Sequence, residues 1–231
     1  MEEMRQIRKL KRILEGEYGQ SDCYSLAERL VEKGITELTD ALRSKIQYLQ
    51  GICENVPFDD FWSEYLIANV DEAELKERYA QVVLYTGKEK CDVSDLVLSC
   101  EDVAAFADYL SSLEFSEDQV NASLGELINI GSFAKNLDDA KETVQLLKCF
   151  ELTDAERNQF ICDNFGLLFN DYSRNLDRLF SAICEKYGTS EGFRYLCQNP
   201  MVIRLGMQEY RKTSTGRCCY RKEVSNTIDK E

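Results

Sequence analysis

The chain has 231 residues, 44% of them apolar and 30% charged, with a formal net charge of −14. That balance excludes a disordered tract and a small disulfide scaffold, and no window approaches the ~18 consecutive apolar residues of a membrane span. With no histidine anywhere, Ser–His–Asp and Cys–His catalysis, histidine general acid–base work and the Glu-x-x-His di-iron site are excluded as well.

Only Pro57 and Pro200 interrupt a sequence rich in Leu, Glu, Lys and Ala, so helices are predicted throughout. The opening MEEMRQIRKLKRIL lacks the uninterrupted apolar core of a signal peptide. Met4, Ile7, Leu10 and Leu14 fall on one side of a predicted helix, with Arg5, Arg8, Lys9, Lys11 and Arg12 around them. Such a helix can touch an anionic membrane or nucleic acid, or simply balance an acidic body. LAERLVEKGITEL (26–38) follows, and then VPFDDFWSEYL, where Asp59, Asp60 and Glu64 are the first candidates for carboxylate or magnesium chemistry. Pro57, acidic residues and then aromatics also describe a helix start favoured by the dipole, and that reading is preferred. Phe58, Trp62, Tyr65 and Leu66 then form a core stripe. VDEAELKERYAQVVLY (70–85) is a capped amphipathic helix, and Gly87 suits its end. GKEKCDVS (87–94) is the expected boundary between a helical N-terminal part, 1–90, and a second domain, 91–210.

The second domain repeats itself. Moving EDVAAFADYLSSLEFSED (101–118) by 37 places it on DDAKETVQLLKCFELTDA (138–155). FICDNFGLLF (160–169) returns as YLCQNPMVIR (195–204) at a shift of 35, and NLDDA (136–140) as NLDRL (175–179) at 39. Several matches in consistent order mark a repeated unit. SEDQ (116–119) and TDAE (153–156) read as capping boxes, and Thr189-Ser190-Glu191 as a similar start. Each unit is predicted as a short helix, an apolar tip and a longer helix, the last with Leu176, Leu179, Phe180, Ile183 and Tyr187 on one stripe. One unit cannot bury that stripe alone and must stack on its neighbours. The expected fold is all-α: tandem helix-pair repeats forming a short α-solenoid, behind a helical N-terminal part.

LTDAERNQFICDNFGLLFNDYSRNLDRLFSAICEKYG and its continuation TSEGFRYLCQNPMVIRLG resemble the repeat of the mitochondrial transcription termination factor (mTERF) family. Asn199-Pro200 with Val202 and Ile203 matches that repeat's tip, and Tyr187-Gly188-Thr189-Ser190 its junction. The resemblance covers residues 99–207. It implies a curved helical solenoid whose basic concave face binds nucleic acid.

Charge opposes that function. Residues 1–13 carry +3 and 208–231 carry +2, which leaves −19 for 14–207. Phosphate binding needs Lys and Arg to displace counterions. The preferred expectation is therefore a non-enzymatic interaction protein offering an acidic groove to a basic protein or peptide, in its sharper form a nucleic-acid mimic. Glu117, Asp118, Asp154, Glu156 and Asp163 are the acidic candidates. The alternative is mTERF-like nucleic-acid binding through the basic ends or a local stripe of Arg157, Arg174, Arg178, Arg194 and Arg204.

The ten cysteines include no CxxC and the chain has no histidine, so no zinc site is expected. With no GxGxxG, Walker A or EF-hand loop either, no metal and no cofactor are expected. Cys149, Cys162, Cys184 and Cys197 fall in helical apolar patterns, where a reduced thiol behaves as a small buried hydrophobe. A reducing cytoplasm is the expected location. Cys218 and Cys219 lie in a predicted mobile polar tail, 211–231.

Overall fold

The computed structural model describes residues 2–131, 136–169 and 173–203, with backbone only at 167 and 173–175. The expected tail, with Cys218 and Cys219, and the whole of Arg204 lie outside the described residues. Among those described the fold is all-α. The helices are α1 (Glu2–Tyr18), α2 (Tyr24–Glu32), α3 (Asp40–Ile52), α4 (Phe61–Asn69), α5 (Glu72–Thr86), α6 (Cys100–Ser112), α7 (Glu117–Ile130), α8 (Leu137–Leu146), α9 (Asp154–Asp163), α10 (Phe165–Leu168), α11 (Ser173–Tyr187) and α12 (Thr189–Gln198). The described residues contain no strand, and their one extended pairing is an isolated parallel bridge between Cys53 and Cys91. No described helix is long and apolar enough to cross a membrane.

The described residues divide into two compact units, those within 1–105 and 124–132, and those within 106–123 and 133–231. The expected joint at 87–94 lies inside the first. There Ile7, Leu10 and Leu14 of α1 are buried together with Leu26, Ala27 and Leu30 of α2, Ile46 and Leu49 of α3, Leu66 and Ile67 of α4, and Leu75 and Val82 of α5. Met4, expected on the same stripe, is instead 43% exposed. Local chemistry sets the helix ends. Asp60 accepts from the backbone N–H groups of Trp62 and Ser63 at 2.9 Å, which starts α4. Asp71 caps α5, which Gly87 ends in the left-handed region at φ 69°. The carboxylates around Pro57 are thus partly structural: Asp60 is a cap, and Glu64, buried, pairs with Arg29 at 2.6 Å. Arg78, also buried, donates to the carbonyls of Leu96 and Val97 at 2.8 and 2.7 Å. It satisfies the carbonyls that end the 3-10 turn Val93–Leu96, which would otherwise be costly to bury.

From α6 onward the local geometry recurs, as helix-pair repeats require. The caps Ser99 of α6 and Asn136 of α8 stand 37 residues apart, and both side chains accept from the third backbone N–H beyond them. Ser116 and Gln119 bond reciprocally, as do Thr153 and Glu156, again 37 apart. A residue of positive φ follows the helix end at the same interval, at Glu114 (φ 63°), Glu151 (φ 53°) and Gly188 (φ 81°), the last of which is itself the cap position of α12. The repeated Cys-x-Asn phrase is a helix stop. Asn164 closes α9 and Asn199 closes α12, and each turns its side-chain amide back to the carbonyl four residues earlier, at 2.9 and 3.0 Å.

Three sequence expectations need correction. The match at 39 does not hold, because Asn136 is a cap while Asn175 lies two residues inside α11. Thr189 opens α12 without capping it; Gly188 occupies the cap position and makes no side-chain bond. The buried cysteines are Cys23, Cys53 and Cys91, whereas Cys149, Cys162 and Cys184 are half-buried and Cys197 is exposed. Helical periodicity marks the inward side of a helix. It does not show whether a neighbour covers it. All eight described cysteines are free thiols.

In the second unit the core is aromatic. Phe165 and Phe169 stack at 4.2 Å, and Phe150 meets Phe180 edge-on at 5.3 Å. Gly192 lets α12 lie close on α11, since a Cβ there would stand 2.9 Å from Ile183 Cγ2. The carbonyl of Leu113, just past α6, accepts from buried Asn158 at 2.8 Å and from Arg157 at 2.9 Å.

The left-handed joints generate a prediction. A non-glycine residue there costs about 1–2 kcal/mol, part of which glycine's extra unfolded-state freedom takes back. Glu151→Gly is therefore expected to leave stability unchanged or raise it by up to ~1 kcal/mol in denaturant unfolding, and Gly192→Ala to lower it by about 1–3 kcal/mol. A loss well above 1 kcal/mol for Glu151→Gly would show that Glu151 is not left-handed.

Candidate functional site

The second unit contains a groove of about 570 Å³ between α9 and α12, within the size range of ligand clefts. Its α9 wall is Ala155, Glu156, Gln159, Phe160, Asp163 and Asn164. Glu156, Gln159, Phe160 and Asp163 follow the three- and four-residue steps of one helix face. The opposite wall comes from Phe193, Leu196 and Cys197 of α12, with Pro200 beyond the Asn199 stop. The floor is apolar, where Phe160 meets Phe193 edge-on at 5.2 Å and Leu196 is buried. The rim is acidic.

Each rim carboxylate has a defined local role. Thr153 donates to Glu156 through its hydroxyl at 2.7 Å and its backbone N–H at 3.0 Å. Those bonds, the hydroxyl's first, hold the Glu156 carboxyl below the usual range, so it is charged at neutral pH. Asp163 accepts from Gln159 at 2.8 Å. Cys197 stands exposed at the rim. Even so, desolvation by the groove wall, then the charges of Asp163 and Glu156, push its thiol up and keep it protonated. That thiol is no activated nucleophile. Two fixed carboxylates over an aromatic floor can instead take a cationic group on an apolar stem.

Of the five acidic candidates, the structure brings Glu156 and Asp163 together in this groove. Asp154 pairs with Arg157 at 2.6 Å, and exposed Glu117 and Asp118 in the first turn of α7 do not line it. Sequence reading missed Phe160, Phe193 and Leu196. They carry ordinary core spacing, and only the packing of α12 against α9 makes them a floor. Pro200 was visible as part of the Asn-Pro tip.

The basic candidates have different surroundings. Arg157 is engaged by Asp154, Asn158 and the Leu113 carbonyl. Arg194 pairs with Glu191 at 2.6 Å on an exposed face, Arg178 is exposed on α11, and the side chain of Arg174 lies outside the described residues. The clearest cationic surface is on α1 of the first unit. Arg5, Arg8, Lys9 and Arg12 share one exposed face and have no ion-pair partner among the described residues, while Lys11 pairs with Glu15 at 3.4 Å. No group of side chains able to hold a metal ion occurs among the described residues.

The Thr153–Glu156 pair fixes a pH dependence. Because the folded carboxyl is depressed, its contribution to stability is present above the unfolded glutamate pKa and is lost as pH falls through the folded value. In a carboxyl-resolved NMR titration, Thr153→Ala is expected to return Glu156 toward the ordinary glutamate range. No movement would mean that the cap does not hold the charge.

Comparison with known proteins found no family model, no curated protein and no solved structure that matches the chain.

Proposed function

We propose that the chain is a non-enzymatic, helical-repeat interaction protein that takes a basic segment of a protein partner into the α9–α12 groove. One observation carries this reading: two fixed carboxylates, Glu156 and Asp163, stand over an apolar floor of Phe160, Phe193 and Leu196. A lysine or arginine whose stem lies on the rings and whose head reaches the rim satisfies both parts of that surface. The −19 of residues 14–207 adds long-range steering of a cationic partner and disfavours phosphate. Stacked helix pairs, as in an α-solenoid, would extend the surface along the chain, and a nucleic-acid-binding partner whose phosphate channel accepts such carboxylates is the sharper form. A reducing cytoplasmic setting belongs to the same proposal.

The probe is a fluorescent peptide alternating Lys or Arg with Leu, titrated by anisotropy at about 150 mM salt, where screening is ~8 Å. Glu156→Gln with Asp163→Asn is expected to weaken binding by ~5–30-fold. Glutamine keeps the cap, as Gln119 does in the preceding pair. Glu117→Gln with Asp118→Asn, outside the groove, is expected to change it less than twofold. Equal effects from the two pairs, or no peptide binding, would reject the groove.

One observation favours a second reading, mTERF-like nucleic-acid binding through a basic end: the exposed face of Arg5, Arg8, Lys9 and Arg12, without ion-pair partners among the described residues. Single- and double-stranded nucleic acid are expected to bind negligibly at about 150 mM salt, since four cations release few counterions. Tight binding there that disappears on changing those four residues to Ala would put this second reading first.

A further inference from the structure

The bridge between Cys53 and Cys91 is built from both sides. α3 stops at Ile52, and Cys53 leaves it in an extended conformation. The segment after Gly87 returns alongside. Cys91 N–H donates to the Ile52 carbonyl at 3.1 Å, and Glu54 N–H to the Cys91 carbonyl at 3.0 Å. Lys90 Nζ adds a bond to the Gly51 carbonyl. These contacts place the two sulfurs 3.7 Å apart, with the residues 2% and 1% exposed. Fixed backbones and adjacent thiols are what a disulfide needs, and a modest side-chain rotation closes the remaining gap.

We propose that Cys53 and Cys91 form a reversible dithiol–disulfide site, oxidised by a hydroperoxide and reset by a dithiol reductant. This inference is independent of the groove. Cys91 is the attacking sulfur. The two sulfurs share a hydrogen bond in which either thiol can donate. That bond lowers Cys91 and raises Cys53, while burial, Asp95 and Asp92 oppose the Cys91 thiolate and the nearby Lys88 favours it. Cys91 also lies between exposed Lys90 and Asp92, so a small shift of this short segment admits a small oxidant.

In the first step the Cys91 sulfur attacks the peroxide; an S–O bond forms, the O–O bond breaks, and the departing oxygen takes the Cys91 proton as water or an alcohol. The Cys53 sulfur then attacks Cys91; the S–S bond forms, the S–O bond breaks, and the hydroxyl leaves as water with the Cys53 proton. Two electrons pass from the thiols to the peroxide. A dithiol returns them by exchange. The bond closes a loop that contains α4 and α5, so the oxidised first unit gains stability.

The test uses the full chain, reduced and then treated with a small excess of hydrogen peroxide. Remaining thiols are alkylated, and the non-reduced digest is mapped by mass spectrometry. A Cys53–Cys91 cross-linked peptide is expected, abolished by dithiothreitol, with a melting temperature roughly 5–10 °C above the reduced protein. Cys53→Ala is expected to stop at a Cys91 sulfenic acid that dimedone traps. Recovery of both thiols reduced, or of Cys91 over-oxidised without the cross-link, would overturn the proposal. The wild-type mapping decides it even if the variant fails to fold.

Discussion

A left-handed residue between two helices is the constraint on which the recurrent part of this chain depends. It lets the chain leave one helix and enter the next capped start within two or three residues, as at Glu114–Ser116 and Glu151–Thr153. Two of the three joints carry glutamate, for which this conformation is unfavourable. Neighbouring bonds hold the first of them in place. The Leu113 carbonyl, immediately before Glu114, is gripped by Asn158 and Arg157 from α9. That carbonyl lies at the negative end of α6, so the guanidinium also opposes the helix dipole. Thus a residue in one pair fixes the joint of the pair before it.

How much of this was legible in the sequence depended on the range of the interaction. The boxes at Ser116 and Thr153, the stop at Gly87 and the cap at Asp60 are local chemistry, and the residue types announce them. The helical class and the register at 37 followed from such signals together. Glu114 and Glu151 carry no sign of a left-handed backbone, because their conformation comes from the elements on either side. The contact of Cys53 with Cys91 was equally silent: Cys53 continues the stripe of Leu42, Ile46 and Leu49, but Cys91 lies on none, and a 38-residue separation hides their pairing. The groove was half legible. Glu156 and Asp163 could be named as acidic positions on α9, but the aromatic floor needed the packing of α12.

The net charge also takes on a different meaning once the cations are placed. Arg29, Arg78, Arg157 and Lys88 are spent on fixed partners: Glu64, two backbone carbonyls, the Leu113 carbonyl with Asp154, and Asp95. These bonds satisfy groups that would be expensive to leave unpaired in the interior. Cations committed in this way contribute little to an outward basic field. The exposed cationic face is then concentrated on α1, while acidic side chains such as Glu117, Asp118, Glu156 and Asp163 face solvent. A structural use of arginine and an acidic surface are two results of the same allocation.

The groove itself has a cause in the repeat. Where α7 meets α9, small side chains touch: Ser123 and the Cys162 sulfur are 3.9 Å apart. In the next pair Phe160 stands in the place of Ser123, at a shift of 37, and Cys197 in the place of Cys162, at a shift of 35. Phenylalanine is far too large for the contact that serine makes. Its ring turns to meet Phe193 at 5.2 Å, and the two rings fill the base of the interface while its upper edge stays open. Cys197 is exposed at that edge, whereas Cys162 is half-buried. Glu156 and Asp163, one turn to either side of the Phe160 level on α9, then become the rim by position alone. The change from a small to an aromatic residue between successive helix pairs thus accompanies the change from a packing seam to an open groove.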